Sequence, residues 1–282
     1  MLDFLSETDR EIIAKQNASL EEVRIRLGQK AKAVFSAKGK RYVLSLENIY
    51  DGNLIEEIVY KLCDYSPFCK EESIRQCFVT SKSGERAGIC GTIVYDGEKV
   101  VTVKDVTSLC LRFPNEVIGI AEGFAERYLN GVESCLVISP PFGGKTTFLR
   151  DLGRIYSDKY EKNVLYIDER EEFSGNGKFY LGKNADVLKN SSKEYGFKNG
   201  VRTLNPDVIA CDELMNEEDL SAVAYASASG VKTISSAHSD NLKNLLKKPH
   251  FKEIFKLFTF QKYVELSYGK ILNVYDEEGR KC

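Results

Sequence analysis

Extended stretches and stretches of helical period follow one another along the chain, and their character changes about two-fifths of the way through. Before that point, residues 23–27 and 41–46 read as extended, and residues 54–63 space their apolar positions as a helix does. Residues 87–95 and 99–103 alternate on either side of Asp96-Gly97, a favoured two-residue hairpin turn. Residues 108–113 read as a further strand, closed by Pro114. Val117, Ile118, Ala121, Phe124, Ala125, Tyr128 and Leu129 then predict a helix that Asn130-Gly131 ends. Beyond it, the apolar runs 135–138, 164–168, 208–212 and 231–236 are predicted core strands separated by amphipathic segments. Asn216 with Asp219 forms a capping-box-like start for a helix through Ala228, and residues 260–266 and 270–274 predict a hairpin around Tyr268-Gly269. Strands alternating with helices argue a parallel sheet covered on both faces. The expected fold is therefore α/β, with a smaller α+β domain over residues 1–114 and a parallel-sheet domain over 115–282.

Composition narrows the function classes. With 282 residues, 43% apolar and 29% charged, the chain reads as globular rather than disordered. Its 40 basic and 42 acidic residues leave a net charge of −2, which argues against nucleic acid as a partner. No apolar run approaches the roughly 20 residues that span a bilayer, and the acidic N-terminus carries no signal-peptide pattern. The expectation is a cytoplasmic protein without direct membrane insertion, held at a membrane only through a partner. Of the eight cysteines, Cys63, Cys69, Cys77 and Cys90 are too widely spaced for a metal knuckle, and the thiols read as reduced and structural.

The run Ser139-Pro140-Pro141-Phe142-Gly143-Gly144-Lys145-Thr146-Thr147 stands between an apolar strand and an amphipathic helix. That is the setting of a phosphate-binding P-loop (Walker A), with Ser139 in place of its first glycine. Backbone N–H groups and a helix N-terminus face the phosphates of ATP there, Lys145 adds a point charge, and Thr146 is a ligand for Mg²⁺. Residues 207–213 form an apolar strand ending in Asp212-Glu213, a Walker B arrangement. In it Asp212 holds the Mg²⁺ shell and Glu213 orients the attacking water. Asp168 and Glu169 close the strand between these motifs and read either as organisers of the nucleophile or as part of a charged loop. His238, at the end of Ser235-Ser236-Ala237-His238, reads as a γ-phosphate sensor or as a strand-end histidine without duty. Arg24, Arg26, Arg86 and Arg112 in the first domain are candidates for stabilising phosphate charge in the transition state, alongside the ordinary reading of surface charges.

The order of these pieces resembles the stage III sporulation protein AA family, cytoplasmic P-loop ATPases of endospore-forming bacteria. The resemblance rests on Val23-Arg24-Ile25-Arg26, Ser108 to Arg112, Ile138 to Leu152, Asp168-Glu169-Arg170, Asp186-Val187-Leu188, Arg202 to Asp207, Asp212-Glu213 and Ser236-Ala237-His238. It implies a kinship with the ATPases of type II and type IV secretion and pilus assembly, and a RecA-like second domain. It also makes Asp168 to Glu172 the family's Asp box and His238 its His box. It further implies a homo-oligomeric ring, a hexamer, in which the first domain caps a neighbour's nucleotide and supplies arginines. The implied partner is the inner-membrane base of the channel joining mother cell and forespore, on the mother-cell side. Two other functions stay open on the residues alone. One is a nucleic-acid-dependent ATPase using Lys243, Lys247, Lys248 and Lys252 beside Phe251. The other is an ATP-gated scaffold with negligible turnover.

Overall fold

Alternation in the first part of the chain is realised as one antiparallel sheet. In the computed structural model, which describes residues 2–37, 40–81, 86–113, 116–141 and 143–282, α1 (Glu7–Ala14) precedes β1 (Ser19–Arg26), β2 (Lys30–Ala37) and β3 (Lys40–Ile49). Helices α2 (Gly52–Leu62) and α3 (Glu71–Arg75) lead to β4 (Phe78–Thr80), β5 (Arg86–Asp96) and β6 (Lys99–Arg112). The strand order is β3-β2-β1-β6-β5-β4. One face, with Val23, Ile25, Phe35, Leu46, Ala87 and Leu111, packs on Ile55, Ile58 and Leu62 of α2. Period-two alternation sends Arg24 to the other face.

The two strands expected over 99–103 and 108–113 are a single strand. Asp105 sits at φ +48, and the register with β5 shifts between Cys90 and Thr92. A β-carbon on Gly91 would stand 2.5 Å from the Lys104 carbonyl oxygen, so only glycine lets the bulged strand close on its partner. That bulge breaks the alternation and makes one strand read as two.

The second sheet has seven strands in the order β13-β12-β7-β11-β10-β8-β9. They are β7 (Cys135–Ser139), β8 (Val164–Asp168), β9 (Ala185–Lys189), β10 (Val208–Cys211), β11 (Lys232–His238), β12 (Lys262–Ser267) and β13 (Lys270–Tyr275). β7 to β12 pair in parallel with their neighbours, and only β13 runs antiparallel, to β12. Strand residues alternate between two apolar layers, Val208 and Ala210 on one side, Ile209 and Cys211 on the other. Burial pushes the thiols of Cys135 and Cys211 up to about 12, as for small apolar side chains.

The helices of this unit are α4 (Glu122–Tyr128), α5 (Lys145–Asp158), α6 (Lys193–Thr203) and α7 (Glu217–Ala228), followed by Leu242–Leu245 and Pro249–Lys256. α4 is shorter than the helix expected from 117 to 129. Gly119 is at φ +90, and the N–H groups of Gly119 and Ala121 donate to the Asp151 carboxylate at 3.0 and 2.8 Å. A side chain of α5 thus takes the backbone donors that helical turns would otherwise use.

The chain divides into two compact units, Met1–Asn115 with Gly175–Lys178, and Glu116–Ser174 with Phe179–Cys282. The boundary expected at 114–116 falls partly on Pro114 and Asn115, which lie outside the described residues. Among the described residues no helix is long and apolar enough to cross a membrane.

Candidate functional site

β7 delivers the chain to Ser139, and α5 begins at Lys145 with Gly144 as its N-cap in left-handed backbone, φ +91. Among the described residues no side chain caps this helix and its first turn holds no acid, so its leading N–H groups are left for a ligand. With serine at 139, position 143 has no room for a side chain: a β-carbon there would fall 1.6 Å from Ser139 Oγ and 3.1 Å from the Pro140 carbonyl oxygen. Lys145 is only 6% exposed, and its Nζ donates to the carbonyls of Ser139 (3.2 Å) and Pro140 (3.1 Å) and to His238 Nδ1 (3.0 Å). Burial pushes the Lys145 pKa down, opposed by the carboxylates of Asp212, Glu213 and Glu172. Pro140 and Pro141 are exposed, and Thr147 is half-buried in the first turn of α5. Phe142 lies outside the described residues.

β10, two strands from β7, delivers Asp212 to the same end of the sheet. The Thr146 hydroxyl donates to Asp212 Oδ2. Asp212 Oδ1 accepts from the Ser236 hydroxyl and from the Glu213 N–H at 2.9 Å. Glu213 stands at φ +52, a left-handed conformation unusual for a glutamate. Its Oε1 lies 2.8 Å from His238 Nε2, and its Oε2 lies 3.4 Å from Arg170 Nη1. With Nδ1 facing the Lys145 ammonium, Nε2 carries the imidazole proton and donates it toward Glu213. Lys145, His238, Glu213 and Arg170 therefore form one continuous polar line.

The acidic segment after β8 is tied to its own loop and to α6. Asp168 is 1% exposed, and its two oxygens accept from the N–H groups of Phe173 (3.1 Å) and Ser174 (2.9 Å). Arg150 holds the same loop from its carbonyls, donating to Phe173 O at 3.0 Å and Glu172 O at 2.7 Å, with its guanidinium 3.9 Å above the Phe179 ring. Glu169 accepts from Lys193 at the start of α6, and Lys193 is also 3.8 Å from Asp219. Asp219 in turn accepts from the Met215 N–H at 2.9 Å, while Asn216 accepts from the Asp219 N–H at 2.8 Å. The capping box is thus half-formed, its return bond shifted by one residue, and Lys193 links the loop that follows Asp168 to the first turn of α7.

Because both oxygens of Asp168 face backbone donors, an amide there would point its NH₂ at an N–H. Asp168→Asn is expected to lower the free energy of unfolding by about 2 kcal/mol, the cost of a buried mismatched polar group. A lower urea midpoint at unchanged slope is the readout. An unchanged midpoint would show that this carboxylate does not hold the loop.

Arg86 and Arg112 belong to the first unit, where they face each other across β5 and β6, and Arg112 also pairs with Glu22 of β1. The Arg86 guanidinium lies 4.3 Å over the Phe78 ring. In the basic stretch 243–252, Phe251 is 3% exposed, so it offers no ring face for stacking a nucleic-acid base. Arg150 and Lys193, both buried cations, were not among the candidates from sequence, because long charged residues are ordinarily read as surface. The only trace in the sequence is that Arg150 lies between the apolar positions Leu149 and Leu152 of α5.

Comparison with known proteins agrees with this architecture. The ATPase DotB of Legionella pneumophila superposes with a TM-score of 0.59 at 14% identity, covering 96% of this chain and 77% of that one. The pilus retraction motor PilT, solved with bound ADP, gives 0.59 at 13% identity over 93% of this chain and 78% of its own. At such identities the likeness is one of fold: a small N-terminal domain followed by a RecA-like α/β domain. Sequence similarity goes further. The stage III sporulation protein AA of Bacillus subtilis (strain 168) is 33% identical over 284 residues, 95% of this chain and 91% of that protein. A family model for sporulation stage III, protein AA, matches residues 2–282, and the chain belongs to that family.

Proposed function

We propose that this chain is a cytoplasmic motor ATPase that hydrolyses Mg-ATP in a homo-oligomeric ring, a hexamer, and works on a secretion-like channel during sporulation. The observation that carries the reading is the contact of the Thr146 hydroxyl with the Asp212 carboxylate beside buried Lys145, with Glu213 next in line. Those two oxygen groups are the hard donors that a small dication takes, so Thr146 and Asp212 would hold Mg²⁺. When bound, the ion neutralises charge on the phosphoryl oxygens. The loop from Ser139 to Thr147 and the N-terminus of α5 bind the triphosphate, with Lys145 at its β and γ groups. Glu213 orients the attacking water, and His238 both positions Glu213 and reports γ-phosphate through Lys145.

Glu169 acts through Lys193, and Asp168 fixes the loop on which Glu169 and Arg170 stand. In a ring, Arg86 and Arg112 of the first domain would reach a neighbour's phosphates, where a fixed cationic fork stabilises the transition state. In this reading the first domain is residues 1–114 and the ATPase domain residues 115–282. The membrane contact is made through an inner-membrane partner on the mother-cell side.

Steady-state ATP hydrolysis by the full chain across a range of protein concentrations tests this. The expected result is a specific activity that rises with concentration and vanishes with EDTA. ATP binding without turnover at concentrations where the ring is assembled would leave an ATP-gated scaffold.

A further inference from the structure

The turn between β12 and β13 carries a residue that its backbone disfavours. Ser267 pairs with Lys270, so Tyr268 and Gly269 are the two central residues, at φ +48 and +74. Positive φ at both positions is the type I′ pattern, which selects Asn-Gly or Asp-Gly because a side chain is crowded in left-handed backbone. Here the crowded position holds a tyrosine, and no burial compensates, since Tyr268 is 81% exposed.

The same turn is seated on the phosphate loop. The Gly269 N–H donates to the Gly143 carbonyl at 2.9 Å. A β-carbon on Gly144 would stand 3.1 Å from the Gly269 nitrogen, and one on Gly269 would stand 3.0 Å from Ile120 Cδ1. Sheet order gives the turn its direction. β12 flanks β7 on one side, while β11, β10 and β8, which bear His238, Asp212 and Asp168, lie on the other. A triphosphate lying across the loop with its γ end toward Lys145 and Glu213 therefore carries its nucleoside toward the β12–β13 turn.

We propose that the Tyr268 ring is the platform on which the base of the bound nucleotide stacks. The inference rests on the reading of this site as an ATP site and adds the group that recognises the base. An aromatic face takes any base through its π surface and purines best by ring area, so this contact supplies affinity for a nucleoside rather than an edge-by-edge choice among bases.

The test is calorimetric titration of the full chain, with Mg²⁺, by a non-hydrolysable ATP analogue and separately by inorganic tripolyphosphate. Tyr268→Asn installs the favoured turn pair, so thermal unfolding should show the hairpin intact. The expected result is an analogue affinity weakened about tenfold in Tyr268→Asn, within the range for one base–aromatic stack. Tripolyphosphate affinity stays unchanged, and Tyr268→Phe binds the analogue as wild type does. Undiminished analogue binding by Tyr268→Asn, or equal weakening of both ligands, would overturn the stacking role. If wild type binds neither ligand, or Lys145→Ala binds both as wild type does, the ATP-site reading fails and the inference falls with it.

Discussion

Glu213→Gln is expected to lower ATP turnover by about a hundredfold or more while leaving nucleotide affinity within about twofold of wild type. Two local facts make the separation sharp. His238 Nε2 lies 2.8 Å from Glu213 Oε1, and a glutamine oxygen can still accept that bond. The backbone at φ +52 is held by the Glu213 N–H donating to Asp212 Oδ1 and, at 3.0 Å, to Ser236 Oγ, neither of which depends on the side-chain charge. The variant thus keeps the line from Lys145 through His238, gives up the longer contact with the exposed Arg170, and loses the negative charge that attracts and orients a water. Single-turnover hydrolysis beside equilibrium titration of nucleotide separates the two quantities. If both fall together, Glu213 is part of the binding surface. If neither falls, another group orients the water, and Glu169, tied to Lys193, is the acid to substitute next.

What could be read from the sequence follows from which forces are local. The strand–loop–helix from Cys135 to Leu152 was legible because glycine, lysine and threonine at fixed spacing have a local reason to be there. The hairpin around Tyr268-Gly269 was legible as a turn, but its seat on Gly143 was not, since the two lie more than a hundred residues apart. β9 escaped notice because Ala185–Lys189 is an edge strand with only partly buried residues, so its apolar signal is weak. Residues 117–121 looked helical because apolar spacing does not report that Asp151 has taken their N–H groups. The apolar run before Asp168 marks it as a strand end, yet its partners, Phe173 and Ser174, lie in a loop whose path no periodicity predicts. The pairing of Lys193 with Glu169 was hidden for the same reason, as it depends on how α6 meets β8.

Gly143→Ala is expected to unfold the loop locally, cutting nucleotide affinity at least tenfold and costing about 1–3 kcal/mol of stability, as overpacking in a closed space does. The obstruction is specific. Rotating the Ser139 hydroxyl away would relieve the 1.6 Å contact, but Ser139 Cβ would still stand 2.9 Å from the new methyl. Ser139 is fully buried and its Oγ donates to the Pro140 carbonyl at 3.1 Å, so the side chain has little room to move. Ser139→Gly removes both atoms and restores the glycine a P-loop ordinarily carries there, at the modest entropic cost of a glycine at a strand end. The double variant Ser139→Gly/Gly143→Ala should therefore recover most of the lost affinity and stability, leaving a coupling of about 1–2 kcal/mol in the double-mutant cycle. Titration of nucleotide and urea unfolding on all four proteins measure it. A coupling of that size would mean that serine at 139 is tolerated only because 143 has no side chain, the two positions sharing one volume under the phosphates. Strict additivity would mean that Gly143 is required for its own backbone and that Ser139 is incidental to the loop.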